Sequence, residues 1–380
     1  MKRAAWVLCV ACHASTSTNP APSTSAPSAP NASTNAPSAS ASTSTRTRPT
    51  LRTITIDERG IGFDDLVFVK ASHHVLVPAG ALGALVTVST TTDETQSRLL
   101  FPILQSFGGM AGGDAGGRRI LAAPYTPGRH DVGLTSAAES AERTFVTDRT
   151  TKRLVAVDGN GFDAEIALAS EPDYVRFVPP DELWVTEPDA GQIEIFGCCS
   201  PSPEDHAGAD RHAHVFTKRA NVSVRGGPES LVVSPSRKMA YANLWHAKSV
   251  EIDVTKRAIT RTFDSGCDKS RGIALDDAGG GLFVACNDGR VAKIDLASGK
   301  IAAEGHAGDG VDIIDFSPKT GHLYVPAARA GTLTVFDAKL AVLKTVPVPK
   351  GAHCVVADDR GQAWVCDPDH GSLVVFSENP

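Results

Sequence analysis

Residues 352–376, AHCVVADDRGQAWVCDPDHGSLVVF, read as three short strands separated by two turns. The strands are His353–Ala357, Ala363–Cys366 and Ser372–Phe376. The separators, Asp-Asp-Arg-Gly and Asp-Pro-Asp-His-Gly, are rich in turn formers, and the apolar runs are too short for helices. Weaker copies of this unit recur back to residue 63. Seven candidate innermost strands align: Asp64–Val69, His130–Thr135, Asp173–Val178, Glu229–Ser234, Arg271–Asp276, Asp312–Ser317 and His353–Asp358. Each precedes an apolar second strand, such as HVLVPAG from His74 or ELWVTEP from Glu182, and then a third, such as RLVAVD or TLTVFD. The later copies begin about 41 to 56 residues apart, close to the ~40–50 of a four-stranded propeller blade.

This periodicity predicts an all-β, seven-bladed β-propeller over residues 51–380. Blades 4, 5 and 6 offer fourth strands in RAITRTF, KIAAEG and VLKTVPV. The seventh copy ends at Phe376 with no room for one. Leu51–Asp57, LRTITID, is therefore expected to complete the last blade and close the ring, which removes an exposed sheet edge. The repeat stands here as LVVSPSRKMAYANLW, FVPPDELWVTEPDAGQIEIF and IIDFSPKTGHLYVPAARAGTLTVFD. In that form it resembles the YVTN-type β-propeller repeat of exported bacterial proteins. The resemblance implies the fold and an exported location, but no single activity, because that family hosts many.

The segment before the repeats has a different character. Residues 1–12, MKRAAWVLCVAC, have a basic start and a short apolar stretch, the layout of an export signal, and Cys12 resembles the lipidated cysteine of a bacterial lipoprotein. Cys9-Val-Ala-Cys12-His13 also spells a haem-attachment pattern, but it overlaps the signal and leads into low-complexity sequence that could not cover a haem. Residues 13–50 are almost entirely Ser, Thr, Ala, Pro and Asn and read as a disordered tether. The expected location is periplasmic, outer-membrane-tethered or extracellular, with the membrane met only through the N-terminal lipid. The chain carries 37 Lys and Arg against 43 Asp and Glu. Four of the basic residues (Lys2, Arg3, Arg46 and Arg48) lie in the first fifty positions, which hold no acid, so the repeats are more acidic than the formal −6 of the whole. A domain of that sign is a poor partner for nucleic acid, whose phosphates need the opposite charge.

The first residues of the seven inner strands in this alignment are Asp64, His130, Asp173, Glu229, Arg271, Asp312 and His353. All are ionisable, whereas the positions after them are mostly apolar. In a propeller they would ring one mouth of the central channel, and the ends of the second strands would add Asp148, Glu187 and Asp367. So many carboxylates cannot all ionise in one place without a cation, water or Arg271. The leading reading is a binding or scaffold module whose mouth accepts a small polar ligand or a protein partner. The alternative is a metal-dependent hydrolase or lyase with His130, His353 and Asp367 as ligands, a divalent cation being the one cofactor these residues suggest. No Gly-x-Ser-x-Gly elbow and no His-Glu-x-x-His is present. Trp245 is the aromatic expected on the mouth side.

Cysteines add a second pattern. Cys354 and Cys366 lie symmetrically about Arg360 across a hairpin, and Cys267 and Cys286 bracket the equivalent hairpin of blade 5, so both pairs are expected disulfides in an exported protein. Cys198-Cys199 precedes His206, His212 and His214, a soft-ligand cluster whose spacing matches no standard zinc site.

Overall fold

The computed structural model describes residues 50–80, 82–100, 130–141, 143–158, 161–199 and 215–378. The export signal with Cys12, nearly all of the tether, the Gly-rich insertion after Leu100 and the segment with His206, His212 and His214 lie outside the described residues. Strands in the described residues form seven four-stranded antiparallel sheets, six of them meanders of consecutive strands and the last completed by Thr50–Thr55, the arrangement predicted from the repeat.

Ring closure follows the expectation closely. Thr50–Thr55 pairs antiparallel with Ser372–Ser377, from Thr50 opposite Ser377 to Thr55 opposite Ser372. The sheet continues inward through Ala363–Asp367 to Val355–Ala357. The closing strand ends at Thr55, not Asp57, because the amides of Ile56 and Asp57 both donate to Gly371 O (2.9 and 3.0 Å) and turn the chain away. Gly371 has φ +58°, and a Cβ there would lie 2.2 Å from the carbonyl oxygens of both Asp57 and Arg59, so only glycine fits.

Middle strands are buried on both faces between neighbouring blades. Ala363–Asp367 is buried throughout, while the outer strand Val342–Pro347 is largely exposed. Aliphatic and aromatic side chains fill the spaces between blades, and Trp184 and Trp364, at equivalent places in their second strands, are fully buried. Each indole N–H has a carboxylate acceptor, Glu182 at 3.0 Å and Asp358 at 3.1 Å, as a buried donor requires.

One inner strand is displaced from its predicted place. In blade 2 it runs Leu134–Glu139, not His130–Thr135. Leu134 pairs with Asp148, Ala137 with Val146, and an irregularity intervenes. Gly133, at φ +80°, turns the chain into the strand, and its amide donates to Thr150 Oγ1 at 2.8 Å. His130 is therefore a loop residue. In blades 1, 3, 4, 6 and 7 the ladder begins one to three residues after the expected first residue, and in blade 5 one residue before it.

Candidate functional site at the channel mouth

The ends of the inner strands bring Asp64, Asp173, Glu229, Arg271 and Asp312 together with His130 around a cleft of about 330 Å³. An adjoining cleft of similar volume shares His130, Arg271 and Asp312 and adds His353. All seven residues of the expected ring thus reach the mouth, His130 from its loop. Its ring lies tilted against that of His353, with centroids 4.9 Å apart.

These groups are woven together by charge. Arg149 is paired with Asp173 and lies 3.4 Å from Asp64. Arg271 reaches Glu229 at 3.1 Å and Asp312 at 3.6 Å, and its guanidinium lies 4.7 Å from the centre of the Trp245 ring. His130 faces Asp64 at 3.8 Å and Asp312 at 4.0 Å, ion-pair distances longer than a hydrogen bond. The Asp64 carboxylate raises the His130 pKa to about 9. Burial, with Asp173 nearby, pushes Glu229 up to about 9, and burial pushes Asp173 to about 7 against the pull of Arg149. Burial also pushes Asp64 upward, but His130 and Arg149 outweigh it and hold its carboxyl below the ordinary value. Three buried polar atoms here lack a hydrogen-bond partner: Asp64 Oδ2, His130 Nδ1 and Arg271 Nε.

Asp148, Glu187 and Asp367 are not among the residues lining either cleft. Asp148 accepts from the amides of Thr150 and Thr151, Glu187 from the Ala169 amide and the Gln192 side chain, and Asp367 from the amide and ring of His370. Each caps local structure at its strand end. The next residue along does line the mouth: Arg149, Pro188, Trp245, Asn287, Ala328 and Pro368 in blades 2 to 7. Alternation explains the offset, since successive side chains point to opposite faces. Arg149 was thus legible as the residue after Asp148, given the correct face.

The expected metal set fares differently from the ring. His353 has Nδ1 2.7 Å from Gly351 O and Nε2 2.8 Å from Phe63 O, so both ring nitrogens face backbone carbonyls. Asp367 is engaged with His370. His353 thus has no ring nitrogen facing a site shared with His130, and Asp367 lines neither cleft. Among the described residues, His353, Cys354 and Cys366 have ligand-type atoms within 4.8 Å of one another. There the two cysteines are disulfide partners, Cα–Cα 5.6 Å, as Cys267 and Cys286 are at 6.0 Å. Cys198 and Cys199 have their sulfurs 2.9 Å apart.

Below the mouth lies a layer the sequence did not reveal. Asp65 is fully buried and accepts from Arg176 Nη2 at 3.0 Å and Ser136 Oγ at 2.5 Å, tying blades 1, 2 and 3. Arg176 also lies over Tyr174 at 4.8 Å, and Tyr174 lines both the mouth and a deeper aliphatic chamber. Asp315, pushed up to about 6 by burial, accepts the amides of Phe316 and Ala357 and links blades 6 and 7.

No family model matches the chain, and no curated protein matches it by sequence. Among solved structures, it is similar to the crystal structure of the WD40 β-propeller domain of Doa1, with TM-score 0.62 and 14% identity over 87% of this chain and 97% of that one. At that identity the likeness establishes the fold alone: this is a seven-bladed β-propeller.

Proposed function

We propose that this chain is an exported, lipid-tethered propeller of the YVTN type that works as a binding module, with the ionisable mouth as its recognition site for a small polar ligand. The observation that carries the reading is the crowd of buried ionisable groups at the mouth, in which Arg271 Nε has no hydrogen-bond partner and Asp64 Oδ2 and His130 Nδ1 face each other at 3.8 Å without a hydrogen bond. Burying such atoms without partners costs ~1–3 kcal/mol each, and a polar ligand supplies the missing partners. The half-buried Trp245 beside Arg271 gives that ligand an apolar wall. The propeller fold supports a binding or scaffold role in general, and the basic-apolar leader and the Ser/Thr/Pro-rich tether support export.

The test is a thermal-shift screen of the full purified chain against small amines, amino acids, carboxylates and sugars, followed by metal analysis of the same sample. A binding module gives a ligand-dependent rise in melting temperature that Arg271→Gln abolishes. A stoichiometric co-purified metal, with a cation-dependent rise and no response to any small molecule, would replace this reading with the hydrolase or lyase alternative.

A further inference from the structure

The two clefts at the mouth share a wall but differ in the sign of their rims. One is bordered by the exposed acids Asp131, Glu171 and Asp189, above the buried Asp173 and Glu229. The other is bordered by the exposed bases Arg329 and Lys350, with Asp369 beside them. Arg329 is anchored by donating to Asn287 Oδ1 at 3.0 Å and Asn287 O at 2.8 Å, neutral acceptors that fix the guanidinium without cancelling its charge. Glu171 also meets Lys152 at 3.8 Å, an exposed pair of the kind worth little in water.

The orphaned atoms follow the same division. Asp64, only 5% exposed, lines the acidic cleft with a carboxylate oxygen that has Arg149 and His130 as ion-pair neighbours but no hydrogen bond, and Arg271 has an N–H without a hydrogen-bond partner in the shared wall. A ligand with only positive charge would meet Arg149, Arg271 and His130. One with only negative charge would meet the exposed acids Asp131, Glu171 and Asp189. A ligand with both ends charged is matched at each, and complementary potentials of this kind select partners and orient them.

We infer that the mouth binds a dipolar ligand, a short linear zwitterion whose ammonium end lies over the acidic cleft and whose carboxylate end lies over the basic one. This rests on the mouth being the recognition site, and it adds the chemical class and direction of what is recognised. An unblocked short peptide has this chemistry, and two adjoining clefts of about 330 Å³ each give it room.

The probes are triglycine, N-acetyl-triglycine, which lacks the cation, and triglycine amide, which lacks the anion. Each is titrated calorimetrically into the full chain and into Asp189→Lys and Lys350→Glu variants, whose folding is checked by melting temperature. Triglycine is expected to bind at least about tenfold more tightly than either blocked form, the factor that ~1.4 kcal/mol of lost charge complementarity gives. Asp189→Lys is expected to weaken the two probes that carry the ammonium and spare the acetylated one. Lys350→Glu is expected to weaken the two that carry the carboxylate and spare the amide. Blocked forms that bind as well as triglycine overturn the dipolar inference and leave the mouth as a recognition site. No binding by any of the three probes also overturns it, while the small-molecule screen with Arg271→Gln judges the mouth separately.

Discussion

His130, Asp173 and Glu229 each hold a proton in the folded chain at pH values where the unfolded chain has released it. His130 is held to about 9, so its contribution is complete below the ordinary histidine value and is lost as pH rises through about 9. Glu229, raised to about 9, and Asp173, raised to about 7, have the same sign, because ionising either in its buried place penalises the folded state. Asp64 has the opposite sign, but its contribution is lost only when pH falls below the ordinary carboxylate range. The melting temperature is therefore expected to fall as pH rises from the ordinary carboxylate value, about 4.5, to about 9. Glu229→Gln and His130→Gln should each flatten that slope, as thermal melts across the range would show, and variants that retain the full wild-type slope would contradict the arrangement. Asp64→Asn should be more damaging than either, costing about 1–3 kcal/mol in denaturant unfolding, because it takes from His130 and Arg149 the carboxylate between them and leaves Asp312 and Asp173 as their remaining partners.

At the level of elements, what could be read from sequence depended on burial. Second and third strands such as Glu182–Glu187 and Leu373 with its neighbours are packed on both faces, so they stand out as apolar runs. The outer strands Thr95–Leu100, Gly161–Ala167 and Thr217–Ser223 went unrecognised. TQSRLL and TKRANVS are largely polar and GFDAEIA is broken up by Asp163 and Glu165, and pairing with the third strand places them where patterning does not. The inner strand of blade 2 was misplaced because LTSAAE carries a weak apolar signal, and the ladder with Thr144–Asp148 sets its position. Two tests belong here. Gly371→Ala should lower stability by more than about 1 kcal/mol in denaturant unfolding, since it puts a methyl group into the carbonyls of Asp57 and Arg59 at the closing strand. Replacing Cys354 and Cys366 together by Ala should cost about 2–4 kcal/mol, and non-reducing peptide mapping of the wild-type chain should recover the 354–366 and 267–286 links.

Across the whole molecule, the ring is closed by two distant ends of one chain, Thr50–Thr55 and Ser372–Ser377. Removing residues 1–55 should expose the edge of Ser372–Ser377 and shift the protein toward aggregation, measurable by light scattering during a thermal ramp. The proposed lipid tether has its own readout: if Cys12 is lipidated, Cys12→Ser should move the protein from the membrane to the soluble fraction of a host that processes lipoproteins. By itself the sequence determined the all-β class, the number of blades, the closing strand and both cysteine pairs. Each is written in local hydrophobic alternation, turn residues or a spacing that repeats, so no knowledge of distant contacts is needed. It also placed seven ionisable residues at one mouth. Tertiary structure alone decided which other strand-end side chains face that mouth, with Arg149 turned in and Asp148, Glu187 and Asp367 spent on turns. It alone revealed the Asp65–Arg176 pair beneath and the acidic and basic rims above, because those depend on residues far apart in sequence meeting around an axis to which every blade contributes only a strand end.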